Sequence, residues 1–373
     1  MKFTTTSGDL LKALSKANTV VNSKAVIPIL DNFLFEVTGT SLVISATNLE
    51  LSMKVSISVK GHSNGRIAVP SKRILDTVTA LPVNIALTFA ADVGTKKIVM
   101  STEKGTYHLT GESAEDFPEI KDLEKANEIQ LKKEILRSMI HKTSFAASTD
   151  DHRPAMTGIL FELKESELRC VATDGHRLAR MIVKDVTSKK PHSVIIPQKA
   201  LAVLNRALEE ETCSFGFDEV QARFSFGNTN LFTRLIDEKY PNYEAVIPTD
   251  NEKHLRINRE ELHSSVRRVA LYSSANTSSQ QIRFSLKKNA ITLSAEDTEV
   301  GCNANEEMEC EFSNSAMEIG FNAAYITDIL SHIDGDEVIF SFNTPTRAAL
   351  VKSAQPSANE DCMMLVMPVR LNS

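Results

Sequence analysis

The stretch VATDGHRLAR, residues 171–180, sets a carboxylate, a glycine, an imidazole and a guanidinium at four consecutive positions, Asp174 to Arg177. Groups of these types at that spacing could form an acid/base pair, with Asp174 beside His176 and Arg177 holding an anion. Two other stretches, SATNLEL at 45–51 and SAEDTEV at 294–300, occupy the same place in a repeating pattern and bring Asn48 and Asp297 without a histidine. The chain adds no nucleophile elbow, P-loop or metal-ligand cluster. Proton transfer by the loop is therefore set aside.

The elements that must carry this loop repeat three times. IPILDNFLFEVTGTSLVISATNLEL from Ile27, RPAMTGILFELKESELRCVATDGHRLA from Arg153 and SSQQIRFSLKKNAITLSAEDTEVG from Ser278 each read as an alternating strand, a polar turn and a second strand. Each is followed by a β-branched run that stops at Pro70, Pro197 or Phe321 and gives way to helical periodicity. Each copy also opens with an amphipathic helix candidate: SGDLLKALSKAN, LKKEILRSMIHKTSF or NREELHSSVRRVALY. Two helices on one face of antiparallel sheet, three times over, make an α+β chain. Pro and acidic residues interrupt the pattern after EDFPEIKD and after KYPNYEAVIPTD, which predicts domains at 1–121, 122–250 and 251–373.

The composition, 42% hydrophobic and 24% charged over 373 residues, excludes wholesale disorder and disulfide scaffolds. Cys170, Cys213, Cys302, Cys310 and Cys362 never form CxxC and read as buried free thiols. The start lacks a signal-peptide core and no stretch suits a membrane span, so a cytoplasmic protein is expected. A net charge of −6 speaks against nucleic acid only if it is evenly spread. It is not: the six helical segments carry +7 and the remainder −13, five of the six being positive. Basic helices and acidic sheets predict a two-faced molecule.

With those motifs in view, the sequence resembles the bacterial DNA polymerase III β-subunit family, the β sliding clamps. The resemblance runs from MKF to VMPVRL through ATDGHRLA (172–179), IPILDN (27–32), EDFP (115–118), YPNY (240–243), EIGFN (318–322) and MPVRL (367–371). It implies a non-catalytic processivity factor without cofactor or metal, a head-to-tail homodimeric ring with sheets outside and helices around double-stranded DNA. It further implies partners among the replicative polymerase, the clamp loader and other clamp-binding proteins. Carried over position by position, the pocket for their short apolar peptides comprises Met156, Thr173, Gly175, His176, Arg177, Leu178, Pro241, Val246, Asn322, Tyr325, Met367, Pro368, Val369, Arg370 and Leu371. Arg177 or Arg370 is expected to orient the peptide, and Glu244 and Ala245 stand where some family members are basic. Lys24, Arg73, Arg153 and Lys199 are the implied phosphate contacts, to which the charge count adds Lys12, Lys132, Lys133 and Arg137. The dimer seam would place Tyr107 and Leu109 of one copy against Leu271 and Tyr272 of the other. A protein-binding scaffold that ignores DNA, and a hydrolase using His176, are the rival readings; retention on DNA separates the first and turnover lost in His176→Ala the second.

Overall fold

The computed structural model describes residues 1–21, 27–123, 127–184, 186, 191–274 and 280–371. Six α-helices occur among them: α1 (Ser7–Asn18), α2 (Ser71–Ala80), α3 (Lys133–Ser144), α4 (Gln198–Ala207), α5 (Arg259–Ala270) and α6 (Ala323–His332). They fall two to a repeat, as expected. Every described strand pairing is antiparallel.

Local chemistry explains the helix starts. The Thr6 hydroxyl accepts a hydrogen bond from the Asp9 N–H, Asn258 Oδ1 from the Glu261 N–H and Asn322 Oδ1 from the Ala324 N–H, so α1, α5 and α6 each open on a side-chain cap. Leu10, Ala13, Leu14 and Ala17 then recur at helical spacing and are all buried. The strand-to-helix switches fall at Pro70 and Pro197 as expected; the third falls at Asn322, one residue past Phe321, because the cap and not the aromatic ring ends the strand.

The chain divides into two compact units, Met1–Glu134 with Lys199–Leu235 and Ile135–Gln198 with Ile236–Ser373. The middle repeat is shared between them. Its strands 127–132 and 212–234 complete one eight-stranded sheet with residues 32–70, while its strands 158–197 join 253–258 and 337–366 in a second. The first unit also holds a five-stranded sheet that ends on the strand Thr106–Thr110, and the second a four-stranded sheet of residues 281–322.

In the second unit the register builds the site. Ile195 pairs with Leu160 and Leu160 with Val171, Leu178 pairs with Leu365 and Leu365 with Leu350, so one face of the eight-stranded sheet carries a run of apolar side chains. Met181, on the other face, has its sulfur 3.9 Å from the Ser138 hydroxyl of α3. The strands are thus covered on both sides.

Candidate functional site

The floor of the site is the apolar sheet face. Leu160, Val171, Leu178, Ile195, Tyr243, Met363 and Leu365 form one buried cluster, with Ala155, Ile236, Tyr240 and Ile247 packed against it. Tyr243 enters from the short turn Tyr243–Val246, and its hydroxyl donates to Glu162 Oε2 at 2.5 Å. Burial, then that hydrogen bond, push the Tyr243 phenol up to about 12, so it stays a neutral donor at physiological pH.

The turn that opened the sequence reading closes over one end of this floor. Asp174 Oδ1 accepts from the N–H groups of His176 and Arg177 at 2.8 and 3.0 Å, while the Thr173 hydroxyl donates to the Arg177 carbonyl at 2.6 Å. Asn48 Oδ1 does the same for Glu50 and Leu51, and Asp297 Oδ1 for Glu299 and Val300. One turn is therefore built three times, and an amide serves as well as a carboxylate. That equivalence makes Asp174 a structural acceptor. Gly175 lies at φ +90°, the left-handed region, with Met156 and Arg153 crowding the space where a side chain would begin.

Arg177 is fully engaged inside the protein. Its Nε donates to Asp174 Oδ2 at 3.0 Å, its Nη1 pairs with Asp328 of α6, and its guanidinium lies 4.7 Å from the Tyr325 ring and 5.4 Å from that of Phe145. These contacts tie the turn to α6. Phe145 and Asp328 were missed by the sequence reading; Asp328 lies 151 residues from Arg177, and nothing in either local pattern marks the pair.

The other wall is the segment after the strand Glu360–Val366. The Met367 N–H donates to the His176 carbonyl at 2.8 Å, the Val369 N–H to the Gly320 carbonyl at 2.9 Å, and Gln281 Nε2 to the Arg370 carbonyl at 3.1 Å. A side chain at Gly320 would begin 2.9 Å from the Val369 carbonyl oxygen and 2.7 Å from a Leu371 methyl, so only glycine lets this segment seat. Gly320 and Gln281 are further site residues that sequence reasoning did not single out, although EIGFN contained the first.

The structure brings most of the implied pocket together. Met156, Thr173, Leu178 and Asn322 are buried parts of its frame, Asn322 as the cap of α6; Arg177, Tyr325, Pro368, Val369 and Leu371 are half-buried. Gly175, His176, Pro241, Val246, Met367 and Arg370 are exposed along the rim, Val246 by 57%. The His176 ring lies 6.2 Å from that of Tyr325. Among the proposed phosphate contacts Lys12, Arg73, Lys132, Arg137 and Lys199 are exposed, whereas Lys24 lies outside the described residues. Lys133 is 3.4 Å from Glu211, and Arg153 is held by Asp150 at 2.9 Å and by the Asp174 carbonyl at 3.1 Å. Leu271 is 81% exposed and Tyr272 45%, while Tyr107 and Leu109 are half-buried on the edge strand Thr106–Thr110.

Two expectations need correction. The +7 counted on the helices is not all available, because Lys142 is buried between Asp334 and Glu360 at 2.5 and 2.8 Å and Lys16 meets Glu209 and Glu210. A charge count cannot see such pairing. Of the cysteines, Cys170 and Cys213 are buried, but Cys310 and Cys362 are only partly so and Cys302 is exposed on an edge strand.

Behind Arg177, His141 of α3 packs tilted against His332 of α6 with ring centroids 4.6 Å apart, and Phe145 stacks on the same His332 ring at 4.4 Å. Burial, and then His332, hold the His141 imidazole below its ordinary value, with Lys142 acting in the same sense and Asp334 against it. A histidine disfavoured as a cation in the fold takes its proton more readily when unfolded. Its contribution is complete above about pH 6.5 and is lost as the pH falls from there towards the folded value. Thermal unfolding at about pH 5.5 should therefore show a lower Tm than at about pH 7.5, with part of the difference removed in His141→Gln. An unaltered pH response in that variant would exclude the pair as its source.

Comparison with known proteins follows this geometry closely. Models of the DNA polymerase III beta subunit match residues 1–121 (N-terminal domain), 130–242 (central domain) and 244–370 (C-terminal domain). The chain is 30% identical over 375 residues to the beta sliding clamp of Pseudomonas aeruginosa and 29% over 374 residues to that of Escherichia coli, in both cases across the whole of each chain. Among solved structures, a P. aeruginosa DNA polymerase sliding clamp with ligand superposes with a TM-score of 0.94, and the P. aeruginosa sliding clamp bound to griselimycin with 0.93; each is 30% identical and fully covered.

Proposed function

The chain belongs to the DNA polymerase III β-subunit family, and from that premise we propose that it works as a sliding clamp. Two copies close head to tail around duplex DNA, three domains apiece at 1–121, 122–250 and 251–373. The replicative polymerase, the clamp loader and other clamp-binding proteins dock short apolar peptides in the pocket between the 174–177 turn and Met367–Leu371. It is a tether and not an enzyme.

One observation carries the pocket: the 367–371 segment is bonded through His176 on one side and Gly320 on the other, placing an exposed apolar rim, Val246 and Met367, around a buried apolar floor. An exposed apolar edge beside a buried apolar floor is what peptide capture requires. Commitment of Asp174 to its turn and of Arg177 to two carboxylates leaves His176, among the described residues, without an acid/base partner of the kind a hydrolase would use. For DNA, exposure favours Lys12, Arg73, Lys132 and Lys199 as phosphate contacts over the paired Arg153 and Lys133. Among the described residues no helix is long and apolar enough to cross a membrane, and the cytoplasm is the proposed place of work.

Retention on DNA tests the whole reading. A protein held by about 6 to 10 phosphate contacts loses roughly 10³ to 10⁵ in affinity between about 50 and 200 mM salt, whereas a closed ring leaves only by opening or by sliding off an end. Loaded onto a nicked circular plasmid, the protein should survive a high-salt wash and depart within minutes of a single restriction cut. Equal loss from linear and circular DNA at the same salt would refute the clamp.

A further inference from the structure

The pocket's rim carries a charge pattern that narrows which peptides it takes. Four arginines stand around it, and three are already met by acid: Arg153 by Asp150, Arg177 by Asp174 and Asp328, and Arg169 by Glu167 at 2.6 Å and Glu244 at 2.7 Å. With Arg370 counted, five carboxylates against four guanidiniums leave the frame at −1.

Glu244 is the member of this set that faces outward. It sits on the Tyr243–Val246 turn, between the floor residue Tyr243 and the rim residue Val246, and its side chain is 59% exposed. Arg169 holds only Oε1; Oε2 has no partner among the described residues. Arg169 is itself fixed, 17% exposed and tied back to Glu167. The result is a carboxylate aimed by a half-buried arginine, half-satisfied, and beside apolar contact surface. A cation completes it; a second carboxylate is repelled.

Resting on the peptide-pocket reading above, we infer that the pocket selects apolar peptides bearing a lysine or arginine next to their Leu and Phe anchors, and that Glu244 makes the selection. The opposite rim fits this polarity, since Arg370 is exposed and its side chain pairs with no carboxylate among the described residues. A peptide laid across the site would meet acid at the 243–246 turn and base at the 367–371 segment.

The test uses the full-length protein and labelled peptides with the same Leu and Phe anchors, flanked on either side by lysine or by glutamate, read by fluorescence anisotropy. A rim pair of this kind contributes up to about 1 kcal/mol, so the lysine peptide should bind roughly threefold to fivefold tighter at about 50 mM salt and lose most of that advantage at about 300 mM. Glu244→Gln, which can still accept from Arg169, should level the two peptides, and Glu244→Lys should reverse their order. Equal binding by the parent protein, or a lysine preference that persists in Glu244→Gln, overturns the assignment while leaving the pocket intact. If neither peptide binds, the pocket reading falls and takes this inference with it.

Discussion

Replacing Gly320 with valine should weaken the hold on a short Leu- and Phe-containing peptide by at least 30-fold, about 2 kcal/mol, without unfolding the chain. The first carbon of the new side chain would lie 2.9 Å from a backbone carbonyl, Val369, and 2.7 Å from Leu371. Side-chain rotation could relieve the second clash but not the first. The 367–371 segment must lift away, losing the hydrogen bond from Val369 to Gly320 and carrying the exposed Met367 out of the rim. Gly320 belongs to the edge strand of its sheet, so the ladder to Gln281–Lys287 on its other side is untouched. Truncation before Met367 should reproduce the peptide defect and leave the dimer alone. Full peptide affinity in both variants would move the pocket elsewhere.

Leu271→Asp should turn the dimer into folded monomers. Leu271 follows the last turn of α5 and is 81% exposed within one chain, so a charge there disturbs almost no contact of the isolated protomer. In the proposed seam it lies under the partner's edge strand, where an unpaired carboxylate costs about 3 to 4 kcal/mol and raises the dimer Kd by roughly 10² to 10³. Leu271→Lys should behave alike, and because it suits the C-terminal end of a helix, it separates burial from helix-dipole effects. Sedimentation velocity with circular dichroism checks both: the expected result is half the mass and the same spectrum. A dimer unchanged in either variant would place the seam at other residues.

The sequence made much of this legible because its signals are local. Alternating apolar residues marked the strands, a proline marked two of the three strand-to-helix switches, and ATDGHR, EIGFN and MPVRL named three elements of the proposed pocket. What stayed hidden depends on partners far away in the chain. Lys142 looks like one more surface charge on a basic helix until Glu360 closes on it, and Arg177 looks free until Asp328 does. Gly320 reads as a weak spot in a strand; its reason is a carbonyl 49 residues further on. Glu244 was noticeable only as a departure from a family pattern, and the arginine that aims it, Arg169, carried no signal at all.

The order of strands in the second eight-stranded sheet also has a consequence for biosynthesis. Residues 177–184 pair on one side with 167–173, which the ribosome has only just made, and on the other with 360–366, whose register partners lie 177 to 189 residues later. At about 5 to 20 residues per second, that side of the strand waits roughly 10 to 35 s for its neighbour. During that interval a nascent chain presents an unpaired, apolar strand edge in a crowded cell, the state in which chains find the wrong partners. The same late strand leads directly into the wall of the peptide pocket. A chain stalled or cleaved short of residue 360 therefore lacks both the strand that seals its sheet and the surface that would recruit a polymerase, so an incomplete copy has no complete pocket with which to compete at the replication fork.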